Sequence, residues 1–459
     1  MSVTSQPATV PTGTLINRRH LLRGSLGAVG LATLGGGALS ACAPSASTSG
    51  TAAKNAAITI MGDPGDHKAE LLAAFTKETG TRTEFLKFDF TRLSAMIAGG
   101  NPPDVVKGLG TTDTPYLAAR RLAHPLDDYL AKSSLIKADD LLPVQDLWRF
   151  DGARQGAGPR YGLVKDYSQD SMHWVNSALY GSAGVRAPSD TEPTSYDELL
   201  ETARRLTRSK SGQTSVYGLG GYNDIGMGYL SQQIATFGGS FFNDAGDAVD
   251  FSTPEGQRIL QWWLDVVAAK VSYNPVNPAP DGWDASVYQA GRIATYMSGY
   301  WFQGMIAENK GVLASSKLVA APVFGSKRVS PTAAAVGHWI PAKSRNKDAA
   351  WAYLEWYNGG QPAKDRAGSG WGLPALKSMQ QYLPRGTAQY QQSYDAEQRE
   401  LPYFGVVPWT PYVKIDAFET VMRQEFKRAI TGRSTGGKLA DALNGALNPL
   451  IRAEKAKVS

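Results

Sequence analysis

Few residues in this 459-residue chain have the types and spacing needed to make or break a bond. Gly432 to Lys438 (GRSTGGK) carries the glycine and lysine spacing of a phosphate-binding loop. The Ser or Thr required after the lysine is Leu439, and a helical stretch rather than a strand precedes the segment. Ser134 and Lys137 fit a Ser-x-x-Lys pair, but neither S-D-N nor K-T-G occurs to complete it. There is no Gly-x-Ser-x-Gly elbow and no Gly-x-Gly-x-x-Gly turn. The five histidines (20, 67, 124, 173, 338) are scattered, and no His-Glu-x-x-His helix exists. The only cysteine, Cys42, excludes intramolecular disulfides, Cys-based zinc sites and iron–sulfur clusters. Neither a metal nor a cofactor is expected. Carboxylate pairs remain open: glycoside hydrolysis sets two of them roughly 5–10 Å apart, which sequence does not show. Asp63, Asp104, Asp113 and Asp170 are available for such work.

Tryptophan points toward binding instead. Of the 11 Trp, those at 262, 263, 351 and 356 fall on predicted helices, where core packing accounts for them. Trp283, Trp301, Trp339, Trp371 and Trp409 stand beside Gly, Pro or polar turns. An indole covers the C–H face of a pyranose; at ~50 Å² and ~25 cal/mol/Å² that contributes ~1 kcal/mol. Neighbouring Asp, Asn and Gln offer hydrogen bonds to vicinal hydroxyls. For each of these Trp, packing under a loop is the equal alternative.

The elements that must position these residues read as α/β. Ala57–Met61 is a short apolar strand, Gly62–Asp66 a loop, and Lys68–Thr79 a helix stopped by Gly80. Thr81–Phe88 returns as a strand, Leu93–Ala98 as a helix, and Asp104–Val106 begins the next strand. This alternation predicts a mostly parallel sheet. Further on, Ser195 to Glu198 forms a capping box, and Ser252–Thr253–Pro254–Glu255 opens a second helix. Arg292–Met297 and Leu318–Ala321 read as strands, and Ala349–Tyr357 and Asp416–Ile430 as helices. The length predicts two or three domains. The net charge of +6 owes half its surplus to Arg18, Arg19 and Arg23, and no basic run argues for nucleic acid.

Those three arginines open an export signal. Eighteen uncharged residues, Gly24 to Ala41, follow them, and six are Gly, which makes a weak membrane-spanning helix. Arg18–Arg19 resembles a twin-arginine signal, although His20–Leu21 replaces the commoner Phe–Leu. Leu39–Ser40–Ala41–Cys42 resembles a bacterial lipobox, in which the Cys42 thiol takes a diacylglycerol. Residues 1–41 are thus expected to be removed, and 42–55 to form a lipidated, flexible tether on the order of 20 Å long.

Taken in order, the segments resemble the family 1 extracellular solute-binding proteins, the sugar-binding lipoproteins of ABC importers. The resemblance runs from about Ala57 to Ala453. It rests on Ile58–Thr59–Ile60 with Gly62–Asp63, FTKETG at Phe75 to Gly80, Pro102–Val106, and Leu126–Leu130. It continues through Tyr161–Gly162–Leu163, Trp174–Val175–Asn176, Thr253–Gly256, RIATYMSGY before Trp301, and Ile340–Pro341 with NKDAAWAYL. Gly370–Pro374 and Leu439–Leu443 complete the series. The resemblance implies a two-lobe periplasmic-binding-protein-like fold of type II, closing on its ligand by a hinge. Chain crossings are then expected near Tyr167–Gln169, Pro322–Phe324 and Pro374–Leu376. The lobes would comprise 56–167 plus 325–373 and 168–322 plus 376–459.

By position, the resemblance implies ligand contacts at Asp63, Asp104, Asp113 and Asp170, with Trp301 as the sugar-stacking aromatic and Trp371 in the later loop. His338 and Trp339 replace the end of the family's Gly-Gly turn and would put bulk into the cleft. Lys165 stands near where a Pro is common, and Glu419 replaces an aromatic seen in some members. The expected partners are a carbohydrate, ABC permease subunits and the membrane through the lipid; the chain itself is expected to be a monomer. Two readings follow: a binding protein without catalysis at the outer face of the cell membrane, or an exported, lipid-anchored carbohydrate-active hydrolase.

Overall fold

The computed structural model describes residues 57–458 apart from Asp281 and Ala333. The export signal, Cys42 and the tether lie outside the described residues. Among the described residues twelve strands occur in this order: β1 (Ala57–Gly62), β2 (Arg82–Lys87), β3 (Val105–Leu109), β4 (Arg149–Phe150), β5 (Gln155–Arg160), β6 (Gly162–Val164), β7 (His173–Asn176), β8 (Arg208–Lys210), β9 (Gln213–Gly220), β10 (Ile293–Met297), β11 (Ser316–Val319) and β12 (Val336–Trp339). They form two five-stranded sheets, β2-β1-β3-β12-β6 and β11-β7-β10-β9-β8, with β4 and β5 as a separate pair.

The first sheet grows from alternating strands and helices. Helix α1 (Ala69–Thr79) links the parallel strands β1 and β2 and ends at Gly80, whose φ of 74° suits glycine. Helix α2 (Phe90–Ala98) is capped by Asp89, whose side chain accepts from the Arg92 N–H at 2.7 Å. It returns the chain to β3, parallel to β1 on its other side. Helix α3 (Gly110–Ala119) then follows β3 directly. Two late arrivals complete the sheet: β12 runs antiparallel between β3 and β6.

Trp148 sets the spacing of this sheet. A Cβ added at Gly108, Gly110, Gly162 or Gly337 would lie 2.8, 2.7, 2.3 or 2.9 Å from its indole. These glycines come from β3, α3, β6 and β12, so one fully buried ring rests on backbone from four elements. The opposite face carries His67 and His338, whose Nε2 atoms are 3.1 Å apart, with His67 Nδ1 2.8 Å from the Tyr353 hydroxyl.

The second sheet is mixed: β10 pairs parallel with β9 and antiparallel with β7. The predicted capping box forms as expected, Ser195 Oγ accepting from the Glu198 N–H and Glu198 Oε2 from the Ser195 N–H, both at 3.1 Å. Its helix, Tyr196–Leu206, joins Pro254–Ala268, Ile415–Thr431 and Gly436–Lys455 around one large apolar core. The two halves form one mixed α/β body. Where the chain leaves the first sheet, Tyr167 and Leu373 exchange backbone hydrogen bonds at 3.0 and 2.9 Å. Among the described residues no helix is long and apolar enough to cross a membrane.

Two consequences can be tested. Gly162→Ala would drive a methyl into the Trp148 ring and toward the His338 carbonyl, 2.8 Å away. A loss of about 1–3 kcal/mol, read as a lower thermal midpoint, is expected from such overpacking. Burial holds His338 neutral far below the usual imidazole range and pushes His67 down to about 4. An unfolded chain takes up these protons near pH 6.5, whereas the fold refuses them. Stability should therefore fall as pH drops from about 6.5 toward 4, with His67 alone contributing about 3 kcal/mol. Urea unfolding across that range should show the slope, and His67→Gln should flatten it; equal slopes would contradict the assignment.

Candidate functional site

In α/β sheets ligands sit outside the carboxyl ends of parallel strands, because connecting loops and helix starts converge there. In the first sheet those ends deliver the loop at Asp63, after β1, and α3, after β3. In the second they deliver the loops after β9 and β10, the latter leading to Trp301. Between β6 and β7 the chain crosses from the first sheet to the second. There the Trp301 N–H donates to Ser168 Oγ at 2.9 Å.

Trp301 is flanked by two further indoles. Trp283 stacks on it with ring centroids 6.2 Å apart and planes 15° from parallel. Trp371 is tilted by 57° with its centroid 5.9 Å away. Trp283 and Trp371 are 46% and 42% exposed, an unusual cost for such large apolar rings. Gly304 makes room for this group, since a Cβ there would lie 2.9 Å from the Trp371 ring. The structure thus brings Trp301 and Trp371 together and adds Trp283. In the sequence Trp283 reads as a loop tryptophan and no motif assigns it to the site; its signal is the flanking Gly282 and Asp284.

The carboxylates divide. Asp63 is half-exposed and ion-paired with Lys107 of β3. Asp113, in the first turn of α3, accepts from the Leu109 N–H at 2.8 Å. Burial raises its pKa, opposed by that hydrogen bond and then by the charge of Lys414. Asp170 lies just after the crossing residue Gln169 and accepts from Thr332 Oγ1 at 3.3 Å.

Three expected residues are placed elsewhere. Asp104 lies at the amino end of β3, the wrong end for the site. It accepts from the Thr59 N–H at 2.9 Å and the Ser344 hydroxyl at 2.6 Å, stitching β1 to the start of a helix. His338 points away to the face holding His67, Tyr353 and Tyr357, where it is buried. Trp339, two residues beyond Gly337, shares the Trp148 face and is core. The bulk expected in the cleft from this pair is therefore taken up by the two faces of the first sheet.

Lys165, the departure noted near the first crossing, is buried between Asp66 at 2.8 Å and Asp166 at 3.0 Å. Burial opposes its charge, but the two carboxylates prevail and raise its pKa. Glu419 accepts from the Met227 backbone at the start of the helix Met227–Ala235; burial lifts it to about 7 despite Arg423. Among the described residues no group of three or more His, Cys, Asp or Glu is placed to hold a metal ion. The geometry offers exposed, flat apolar faces beside the crossing, a surface suited to recognition.

Comparison with known proteins agrees in fold. The chain resembles an ABC substrate-binding protein of Listeria monocytogenes in complex with cycloalternan, at 22% identity and a TM-score of 0.72, over 87% of this chain and 99% of that one. A solute-binding protein of Thermotoga lettingae bound with α-D-tagatose matches at 19% identity and a TM-score of 0.69, over 87% and 100%. The maltose/maltodextrin-binding domain of Bdellovibrio bacteriovorus bound to maltotriose matches at 17% and 0.67, over 86% and 100%. These likenesses establish the two-lobe type II fold. A mannitol-binding protein of Pseudomonas aeruginosa is 25% identical over 261 residues, and the match spans about half, 54%, of each chain. Residues 63–360 match the model of the bacterial extracellular solute-binding proteins, a family of binding proteins and not enzymes. With that match over most of its length, the chain belongs to the bacterial extracellular solute-binding proteins.

Proposed function

We propose that this exported protein captures a carbohydrate, a mono- or oligosaccharide, between its two lobes and delivers it to the permease subunits of an ABC transporter. The observation that carries this reading is the group of Trp283, Trp301 and Trp371, two of them exposed at the crossing between sheets. Exposed indoles are costly in water and favourable against the C–H face of a sugar ring. Asp63, Asp113 and Asp170, which follow β1, β3 and the first crossing, are the hydrogen-bonding groups of this reading. The ligands named for the similar proteins, cycloalternan, tagatose, maltotriose and mannitol, are all sugars or sugar alcohols.

The lobes in this reading are 56–167 plus 325–373 and 168–322 plus 376–459, hinged at the crossings near Tyr167, Pro322 and Pro374. The protein acts as a monomer, held at the outer face of the cell membrane by diacylglycerol on Cys42 and spaced from it by residues 43–55. Twin-arginine export through Arg18–Arg19 precedes anchoring. Ligand contacts both lobes, and the closed form docks on the permease.

A thermal-shift panel of mono- and disaccharides, maltooligosaccharides, xylooligosaccharides, amino acids and polyamines tests this. A ligand at a hundred times its dissociation constant adds ~2.7 kcal/mol, a shift of several degrees. One sugar class should raise the midpoint and be recovered intact. No shift from any sugar would overturn the reading, and a shift decaying as the sugar is consumed would favour the hydrolase. Trp301→Ala should weaken binding of the active sugar about tenfold, roughly 1.4 kcal/mol, with little loss of fold stability.

A further inference from the structure

The two halves of the body also touch away from the tryptophans. Arg120 ends α3, on the first sheet. Its Nη1 donates to the Pro411 carbonyl at 2.9 Å and its Nη2 to the Tyr412 carbonyl at 2.8 Å. Those carbonyls belong to the segment entering the helix Ile415–Thr431, part of the core around the second sheet. The Glu454 carboxylate, near the end of Gly436–Lys455, stands 4.0 Å from Nη2. The guanidinium lies 3.9 Å above the ring of Tyr116, one turn earlier in α3, which fixes the fork before it reaches across.

A reciprocal contact runs the other way. Lys414, at the start of Ile415–Thr431, places Nζ 3.6 Å from the Phe90 ring centre and 5.3 Å from that of Tyr116. Its charge also faces Asp113 and Asp416, with Arg120 opposing. One helix, α3, thus carries the candidate ligand group Asp113 at its first turn and the cross-lobe contact at its last. The bonds join residues 291 and 292 positions apart. They therefore report the arrangement of the lobes, not local folding.

We propose that Arg120 is an affinity-determining residue outside the ligand site, a latch that holds the lobes in this arrangement and sets how tightly solute is retained. Its effect on affinity rests on the binding reading above; its effect on lobe arrangement does not. Apparent affinity scales with the fraction of molecules in the binding-competent arrangement. If removing the latch reduces that fraction from most of the population to about a tenth, affinity falls about tenfold without loss of any ligand contact.

The test uses the mature protein and two readouts. Small-angle scattering of the ligand-free protein should show a larger radius of gyration for Arg120→Ala than for the parent. Calorimetry with maltotriose as probe should show about tenfold weaker binding. Arg120→Lys keeps the charge beside Glu454 but cannot serve both carbonyls, so it should behave as the alanine variant does. Should Arg120→Ala fail to fold, Arg120→Lys and Lys414→Ala carry the same test. An unchanged radius of gyration in the folded variants overturns the latch, as does tighter maltotriose binding. Failure of maltotriose to bind the parent concerns only the sugar reading, and scattering still decides the latch.

Discussion

The Trp148 indole rests on glycines from β3, α3, β6 and β12, and the geometry of the first lobe depends on that contact. Each glycine lets backbone approach the ring to a distance no side chain would permit. One of those elements, β12, is the single reversed strand of the sheet, and β6 beyond it again runs in the direction of β1 to β3. β12 reaches its place between β3 and β6 after the chain has built the whole second sheet. Trp148 Nε1 also donates to the Ala335 carbonyl at 3.3 Å, the residue just before β12. The same carbonyl accepts from the Gly110 N–H at 3.0 Å, occupying one of the free donors at the start of α3. Core packing and the position of α3 are thus one arrangement, and α3 carries both Asp113 and Arg120.

The crossing between sheets shows how polar groups are buried at acceptable cost. Lys165 is almost fully buried beside Asp66 and Asp166, with the Arg366 guanidinium donating to its carbonyl at 3.2 Å. A buried ion group of this kind contributes little net stability compared with apolar packing, but removing one partner strands the others. Its geometric demands define where the backbone passes from one sheet to the other. A short step later the Ser168 hydroxyl holds the Trp301 backbone N–H, so the same stretch of the crossing positions the central tryptophan.

Much of the fold was legible in the sequence because local rules agree with the tertiary result. Gly80 stops α1, Ser195 and Glu198 close a capping box, and β1 to β3 alternate with helices as the apolar pattern requires. The site was legible only in part. Trp301 and Trp371 were readable because tryptophan beside Gly and Ser has no helical face to fill. Asp104 was misleading because an acid at either end of a strand has the same sequence signature, while only the carboxyl end faces ligand. His338 and Trp339 failed for a related reason. The strand β12 pairs with residues more than 150 positions earlier, and nothing local reveals which face each side chain takes. Arg120 had no signal at all, since its partners are backbone carbonyls distant in sequence.

The two contacts between lobes differ in what can loosen them. The tryptophan group is built beside the crossing, where the Ser168 hydroxyl accepts from the Trp301 N–H and Tyr167 and Leu373 exchange backbone hydrogen bonds. Trp283 and Trp301 both lie in the half of the chain that builds the second sheet, so a rotation between the halves leaves their stack intact. The Arg120 fork has no such continuity, and any rotation of the lobes must change its distance to Pro411 and Tyr412. In the proposed reading, stacking selects the ligand, whereas the fork influences how long it is held. Because the two act through different residues, selection can alter retention without redesigning the site. A protein whose solute must be released to a transporter gains from that separation: recognition stays with rigid aromatic faces, and release depends on bonds to carbonyls that water can replace.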